Sequence, residues 1–477
     1  MKRILLFVSL LIWLASPALA QKTRLRVVVP EDITPYKHNR ILVTCPEAGL
    51  LDITISSRAL TWQVADQEPV TEGRNEITYF GLFTNDEPIH AGTFDMSVSL
   101  TRDGQTLYTT DLQVKAKGPG EYLQYVLPRN ETLYLNGGVL EADYYMTSSR
   151  RLKVTLRAQG QSLEKARDIG FKRDKEQHML FSWDGKLGKK KIAPGEYVLT
   201  FSVDDGVSPS YEMPFTAVKG APPTYPLQVT PPGCFLPESM DDESVWKAIT
   251  APITVVKGRD IVRENILSAP QPKAPVAGQV SSATAGLHVL ALEGNYAKVG
   301  AWRFEDGAYM EGYVAQDRLT TLLPNQRWGL VLDKAKQRIT VYHDGKPIGS
   351  TRTSTGLMVP GRIKQESRAG AFTLGQRLPY FDNLGYRYKY AIRVDGRNLM
   401  HQLGHPTTGR MNFDVEDAVM GQKASHGCMR IDRLPGENGI NAFWLWTHIP
   451  STTKVLVLDD MAQRHARMIE LGLTPGN

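Results

Sequence analysis

The 477-residue chain has only three cysteines, Cys45, Cys234 and Cys428, too few for a disulfide-dense secreted scaffold. Beyond its first twenty residues it has no apolar run long enough to span a bilayer. It lacks a His-Glu-x-x-His motif, a paired-cysteine zinc spacing, a phosphate-binding glycine loop and a dinucleotide fingerprint, so the sequence indicates no cofactor and no metal. An excess of one charge is also missing: 56 Lys and Arg stand against 50 Asp and Glu, for a net +6. That weak basic bias suits an anionic surface, but it is not the concentrated patch of a nucleic-acid binder. The basic stretches 165–175 and 186–191 read as solvated loops, and Asp168 and Asp174 interrupt the first.

Apolar residues make up 42% of the chain, enough for several cores and against wholesale disorder. The start reads as an export signal over 1–20. Lys2 and Arg3 precede an apolar run from Ile4 to Leu14, and Ser16-Pro17 leads to the small-residue site Ala18-Leu19-Ala20. An uncleaved anchor is the alternative. Cleavage removes Lys2 and Arg3 and no acidic residue, so the formal charge falls from +6 to +4. The expected location is the periplasm or cell wall.

The body is expected to be mainly β and multidomain. Phe94, Met96, Val98 and Leu100 alternate with polar residues up to the hairpin signal Asp103-Gly104. Gly195 to Val203 repeats the design up to Asp205-Gly206, with the terminal glycines 102 residues apart. We read two tandem immunoglobulin-like β-sandwiches, 21–118 and 119–220. Pro222-Pro223 to Pro231-Pro232 marks a linker, 221–249. Residues 250–322 read as an SH3-like barrel, a binder of peptide or wall polymer or simply a spacer. The last domain spans 323–460. Within it Ile440, Phe443, Trp444 and Thr447 predict one face of a helix. A tail, 461–477, is expected to form a short exposed helix.

The chemistry concentrates in Ser425-His426-Gly427-Cys428-Met429-Arg430. A thiol near neutral pH is a modest nucleophile until a base or a positive field favours its thiolate. Gly427 would let a substrate carbonyl approach the backbone, where N–H groups at the turn can receive an oxyanion. His401, His405 and His426 are near enough in sequence to serve. Taken alone, a His-Gly-Cys triplet is more often a buried inert cysteine beside a packed histidine.

The wider pattern resembles the L,D-transpeptidase catalytic family. Ser425 to Arg430 matches its Ser/Thr-His-Gly-Cys-apolar-Arg/Asn run, Ser354-Thr355-Gly356 its second hairpin, and Ser367 to Phe372 its Thr-Pro-x-Gly-x-Phe segment. Leu399-Met400-His401 matches the strand bearing the general base, and Ile449-Pro450 with Thr453-Lys454-Val455 the closing helix and strand. There are departures. Arg368 replaces the family's proline and is expected to alter the floor of the cleft. Gln402 follows His401. The 23 residues between His401 and Ser425 exceed the common spacing, and the extra chain around Pro406 to Val419 is expected to form a lid.

The resemblance implies Cys428 as nucleophile and a histidine as base. His401 fits the strand position and is favoured; His405, between Gly404 and Pro406, has a loop context. Gly427 and His426 are expected to shape the turn and the oxyanion site. Arg430, Ser425 and His405 are candidates for substrate contacts, with a structural ion pair as the other reading of Arg430. The implied partner is a peptidoglycan stem peptide. The acceptor is a second stem, a lysine of a wall-linked lipoprotein, or water, which would make the enzyme a carboxypeptidase or hydrolase. A non-catalytic wall-binding protein is the alternative of another class.

Overall fold

The computed structural model describes residues 24–474 except 30, 35–37, 57–60, 80, 82–88, 90, 118–122, 147–150, 172–178, 204–209 and 408–412. The expected export segment and the Asp205-Gly206 turn lie outside the described residues. The chain is mainly β and forms two compact units, 1–120 and 121–477.

The first unit contains a three-stranded sheet, in the order Arg26–Val28, Asn39–Cys45, Gly73–Tyr79, and a four-stranded sheet, in the order Thr61–Val70, Gly49–Ser56, Ala91–Arg102, Gln105–Lys117. The period-two pattern is realised in its core. Phe94, Met96, Val98 and Leu100 are all buried, packed with Ile41, Val43, Ile53 and Ile55.

The second unit holds three consecutive β regions. Residues 123–218 form three- and five-stranded sheets over a core that includes Leu156, Phe181, Phe201 and Phe215. Residues 253–322 form a seven-stranded sheet. Between these regions the proline-rich stretch leads into a helix, Asp242–Thr250. Asp241 caps this helix by accepting from the Ser244 N–H at 2.9 Å, and Asp242 and Glu243 sit favourably at the positive end of its dipole. Val245, Ala248 and Ile249 form its buried face. At the other end the Lys454 ammonium donates to the Ala248 carbonyl at 2.7 Å and to the Ala251 carbonyl.

The C-terminal domain is built on a ten-stranded sheet. Along one path the order is Gly370–Thr373, Lys454–Leu458, Trp328–Asp333, Arg338–His343, Lys346–Ser354, Met429–Ile431, Asn398–Gln402, Tyr386–Asp395, Arg377–Asn383; Gly404–Pro406 also pairs with Tyr386–Asp395. A helix, Ala442–His448, covers the sheet, capped by Asn441 accepting from the Trp444 N–H. Its fully buried face is Ala442, Leu445 and Trp446, whereas Phe443, Trp444 and Thr447, expected to lead that face, are only half-buried. The shift follows from a second packing partner. The helix also meets Tyr125 and Tyr145 of the preceding β region, both edge-on to Trp446 at 5.6 Å. Arg377 fastens this junction, donating to the Tyr125 hydroxyl at 3.0 Å and to the Ile449 carbonyl at 2.6 Å. Asp143 adds bonds from the Ser451 N–H at 2.7 Å and hydroxyl at 3.0 Å.

The C-terminal helix, Met461–Glu470, is not simply exposed: Arg464 and Met468 are buried. Beneath it lies a buried ionic network. Lys334 meets Glu366 at 2.6 Å and Asp460 at 2.7 Å, and Lys423 bridges the same two carboxylates. Among the described residues no helix is long and apolar enough to cross a membrane. Cys45, Cys234 and Cys428 are all free thiols.

Candidate active site

The turn from Ser425 to Cys428 is held from three directions. The Ser425 and Ala424 N–H groups donate to the Thr355 carbonyl, and the Leu357 N–H donates to the Ser425 carbonyl. Within the turn, the buried Ser425 hydroxyl donates to the Cys428 carbonyl at 2.5 Å and accepts from the Gly427 N–H at 3.2 Å. Ser367 ties the turn to the hairpin end: its hydroxyl donates to the Gly427 carbonyl at 2.9 Å and accepts from the Gly356 N–H at 2.8 Å. Gly427 has φ +113°, a backbone conformation that favours glycine, and a Cβ there would lie 2.9 Å from the Asn398 side-chain oxygen and push that side chain aside.

Met429–Ile431 then pairs in parallel with Asn398–Gln402, placing Met429 beside Met400 and Arg430 beside His401. Cys428, half-buried, stands at the mouth of this strand pair. Burial pushes its thiol pKa up, while the Leu399 N–H and the Arg430 and Arg393 guanidinium groups pull it back. His401 is 2% exposed. Burial, reinforced by Arg430, pushes its pKa down to about 4, against a partial opposing effect of its bond to Gln402. Both groups are therefore neutral near pH 7. No hydrogen bond joins them among the described residues; the paired Met429 and Met400 stand next to them in the chain, and Arg430 is the register partner of His401.

The His401 ring is oriented by its own backbone. Its Nδ1 lies 2.6 Å from the Gln402 carbonyl oxygen. A carbonyl can only accept, so Nδ1 carries the proton and Nε2 keeps the lone pair. Phe381 and Tyr388, stacked at 5.0 Å, meet the imidazole edge-on at 5.2 and 4.9 Å. The Tyr388 pKa is pushed up by burial and by the nearby Glu416 carboxylate, against an opposing effect of Arg430.

The other expected residues have different surroundings. His405 is buried on the Gly404–Pro406 strand, with Nδ1 donating to the Pro406 carbonyl at 3.0 Å and its ring edge-on to Phe413. His426 is exposed, and no hydrogen bond to it is found among the described residues. Arg430 pairs with Glu416, Nη1 to Oε2 at 3.1 Å. Arg368 does not line the cleft floor. It is buried against Asp395 in a close ion pair, and its guanidinium lies over the Phe304 ring at 4.4 Å, so it braces the seven-stranded region.

Tyr388, Phe381 and Glu416 were not singled out in the sequence. The signal for the aromatic pair was the alternation Tyr386, Tyr388, Tyr390 opposite Phe381. Glu416 had no local signal beyond its place in the long insertion. Among the described residues no group of three or more His, Cys, Asp or Glu is arranged to hold a metal.

Residues 327–457 match the family model of the YkuD L,D-transpeptidase catalytic domain. Similar solved structures include an L,D-transpeptidase from Mycobacterium smegmatis, at 17% identity over 37% of this chain and 98% of that one, with a TM-score of 0.23. An L,D-transpeptidase from Mycobacterium tuberculosis is 15% identical over 44% and 92%, with a TM-score of 0.23. One from Xylanimonas cellulosilytica is 20% identical over 33% and 76%, with a TM-score of 0.20. No curated protein matches. The match to this family model is confined to residues 327–457, and the β regions before them lie outside it.

Proposed function

We propose that this domain catalyses acyl transfer on peptidoglycan stem peptides through a thioester on Cys428, with His401 as general base. The observation that carries the reading is the His401 Nδ1 bond to the Gln402 carbonyl. It leaves Nε2 basic, on the strand adjoining Cys428.

Rotation about the Cys428 Cα–Cβ bond carries the thiol from the Leu399 N–H toward His401. Nε2 takes the thiol proton as sulfur attacks the carbonyl carbon of the stem's third residue. Turn N–H groups stabilise the developing oxyanion, an effect of about 3 kcal/mol per donor in other enzymes. Ser425 holds the turn, its hydroxyl accepting from the Gly427 N–H at 3.2 Å. The carbon–nitrogen bond breaks, and the protonated imidazole gives its proton to the departing amine of the terminal D-alanine. The thioester remains. An acceptor amine then attacks it, the carbon–sulfur bond breaks, and the amine's proton returns through His401 to the thiolate. Low charge on both partners before attack means that the proton moves with bond formation, not ahead of it.

The acceptor distinguishes a transpeptidase making 3–3 cross-links, or attaching a lipoprotein, from a carboxypeptidase or hydrolase using water. On this reading the chain is exported, and the two sandwich modules and the SH3-like module carry the catalytic domain to the wall. Mass spectrometry of muropeptides after incubating sacculi with the protein tests it, with Cys428→Ala as control. New 3–3 dimers support transpeptidation. Loss of D-alanine or release of bound protein without dimers identifies water as the acceptor. No change, together with no acyl adduct on Cys428, refutes the enzyme reading in favour of a wall-binding protein.

A further inference from the structure

The insertion before the Ser425 turn is anchored by two ion pairs of different kinds. The outer pair joins Arg433 Nη2 to Asp417 Oδ2 at 2.6 Å, with the guanidinium over the Phe413 ring at 4.8 Å; its side chains remain 21% and 30% exposed. It ties the last residue of the short helix Asp414–Asp417 to the domain. The inner pair, Arg430–Glu416, is 11% exposed on both sides and lies at the reacting groups. The Arg430 guanidinium is near enough to act on both the Cys428 thiol and the His401 ring. The Glu416 carboxylate acts on Tyr388, is approached by the Gly404 N–H and lies near the exposed His426. Glu416 therefore places a carboxylate inside the catalytic pocket.

We infer that Glu416 is a resident carboxylate occupying the Arg430 clamp that the acyl donor's own carboxylate must enter, so that Glu416 limits access by the donor. This rests on the acyl-donor reading proposed above. The Arg430 guanidinium acts on both the Cys428 thiol and the His401 ring, so a carboxylate seated on it would lie beside both reacting groups. Burial disfavours the Glu416 charge while Arg430 and the Gly404 N–H favour it, and Arg433–Asp417 is a second, more exposed tie on the same segment.

The test compares two electrophiles on the full chain. Imipenem carries a carboxylate; iodoacetamide is neutral. Second-order rates of Cys428 modification are read by intact mass for wild type, Glu416→Gln, Arg430→Ala and the double variant. The expected result is that Glu416→Gln accelerates imipenem acylation at least fivefold and leaves iodoacetamide alkylation within twofold. Arg430→Ala should slow imipenem, and adding Glu416→Gln to it should then change nothing. Equal acceleration of both reagents would make Glu416 a steric cover, and unchanged or slower acylation would make it a structural partner; either overturns the inference alone. Absence of an imipenem adduct on every variant, with normal iodoacetamide labelling, overturns the acyl-donor reading and this inference together.

Discussion

His401 donates from Nδ1 to the carbonyl oxygen of Gln402 at 2.6 Å, so the residue that follows the histidine fixes its tautomer through backbone, not side chain. A carboxylate usually performs this task in Ser-His-Asp-type triads, where it also stabilises the imidazolium. Here the orienting group is neutral and the ring is walled by Phe381 and Tyr388, which agrees with an imidazole that stays uncharged until a proton arrives.

The first prediction concerns the choice of base. His401→Ala is expected to slow acylation of Cys428 by about 10²- to 10⁴-fold, the usual contribution of a positioned general base. His405→Ala should cost less than tenfold, because its Nδ1 is committed to Pro406 and its ring packs on Phe413. Stopped reactions with imipenem, read by intact mass, measure both. A larger loss for His405 would transfer the role to it.

A second prediction follows from the depressed His401 pKa. The folded value is about 4, against about 6.5 for an exposed histidine. As pH falls below 6.5 the unfolded chain binds a proton that the folded chain does not, so stability is lost between pH 6.5 and 4 and the full penalty stands below 4. The difference is about 3 kcal/mol. His401→Gln should therefore lose less stability than wild type between pH 7 and pH 4. Parallel acid-stability curves for the two proteins would contradict the shift.

Ser367 supplies a third. Its buried hydroxyl satisfies the Gly427 carbonyl and the Gly356 N–H together. Ser367→Ala leaves both unpaired, at about 1–3 kcal/mol each. Unfolding in urea should show a loss of about 2–6 kcal/mol, and Cys428 acylation should slow as the turn loosens. Unchanged acylation in the variant would separate this tie from the chemistry.

The candidate nucleophile, the candidate base and the strand pairing that brings their segments together lie in short contiguous patterns whose spacing the sheet register preserves. The rest needed tertiary information. Glu416 reaches Arg430 only after the insertion folds back, and no periodicity encodes that return. Arg368 was expected at the cleft floor because its neighbours in sequence serve the site, but its guanidinium is taken up by Asp395 and the Phe304 ring. The phase of the Ala442–His448 helix was misread because Tyr125 and Tyr145, some 300 residues earlier, bury Trp446 from a second direction. The Asp242–Thr250 helix was legible in principle: Asp241 and the apolar positions 245, 248 and 249 are a cap and a stripe, but the adjoining prolines dominated the reading.

The last prediction addresses the buried network that joins the C-terminal helix to the Ser425–Cys428 turn. Glu366 accepts from Lys334 at 2.6 Å and from Lys423 at 2.7 Å, and both lysines also meet Asp460 at 2.7 Å. Lys334 is fully buried, and its pKa is raised despite desolvation, because Glu366, Asp460 and Asp459 together outweigh that cost. Glu366→Gln keeps the shape and removes one charge, leaving buried ammonium groups short of a counter-ion. Breaking such a network on one side costs about 3–5 kcal/mol. The position makes the effect more than a matter of stability. Glu366 adjoins Ser367, which holds Gly427, and Lys423 lies two residues before Ser425. Glu366→Gln should therefore lower the unfolding midpoint and also slow imipenem acylation at temperatures where the variant is still folded. Lys336→Gln, which loses a pair whose lysine is 77% exposed, is the control and should change neither by a measurable amount. If Glu366→Gln lowered stability without touching acylation, the network would be a fastening for the C-terminal helix alone, and the turn would owe its position to Ser367 and Thr355.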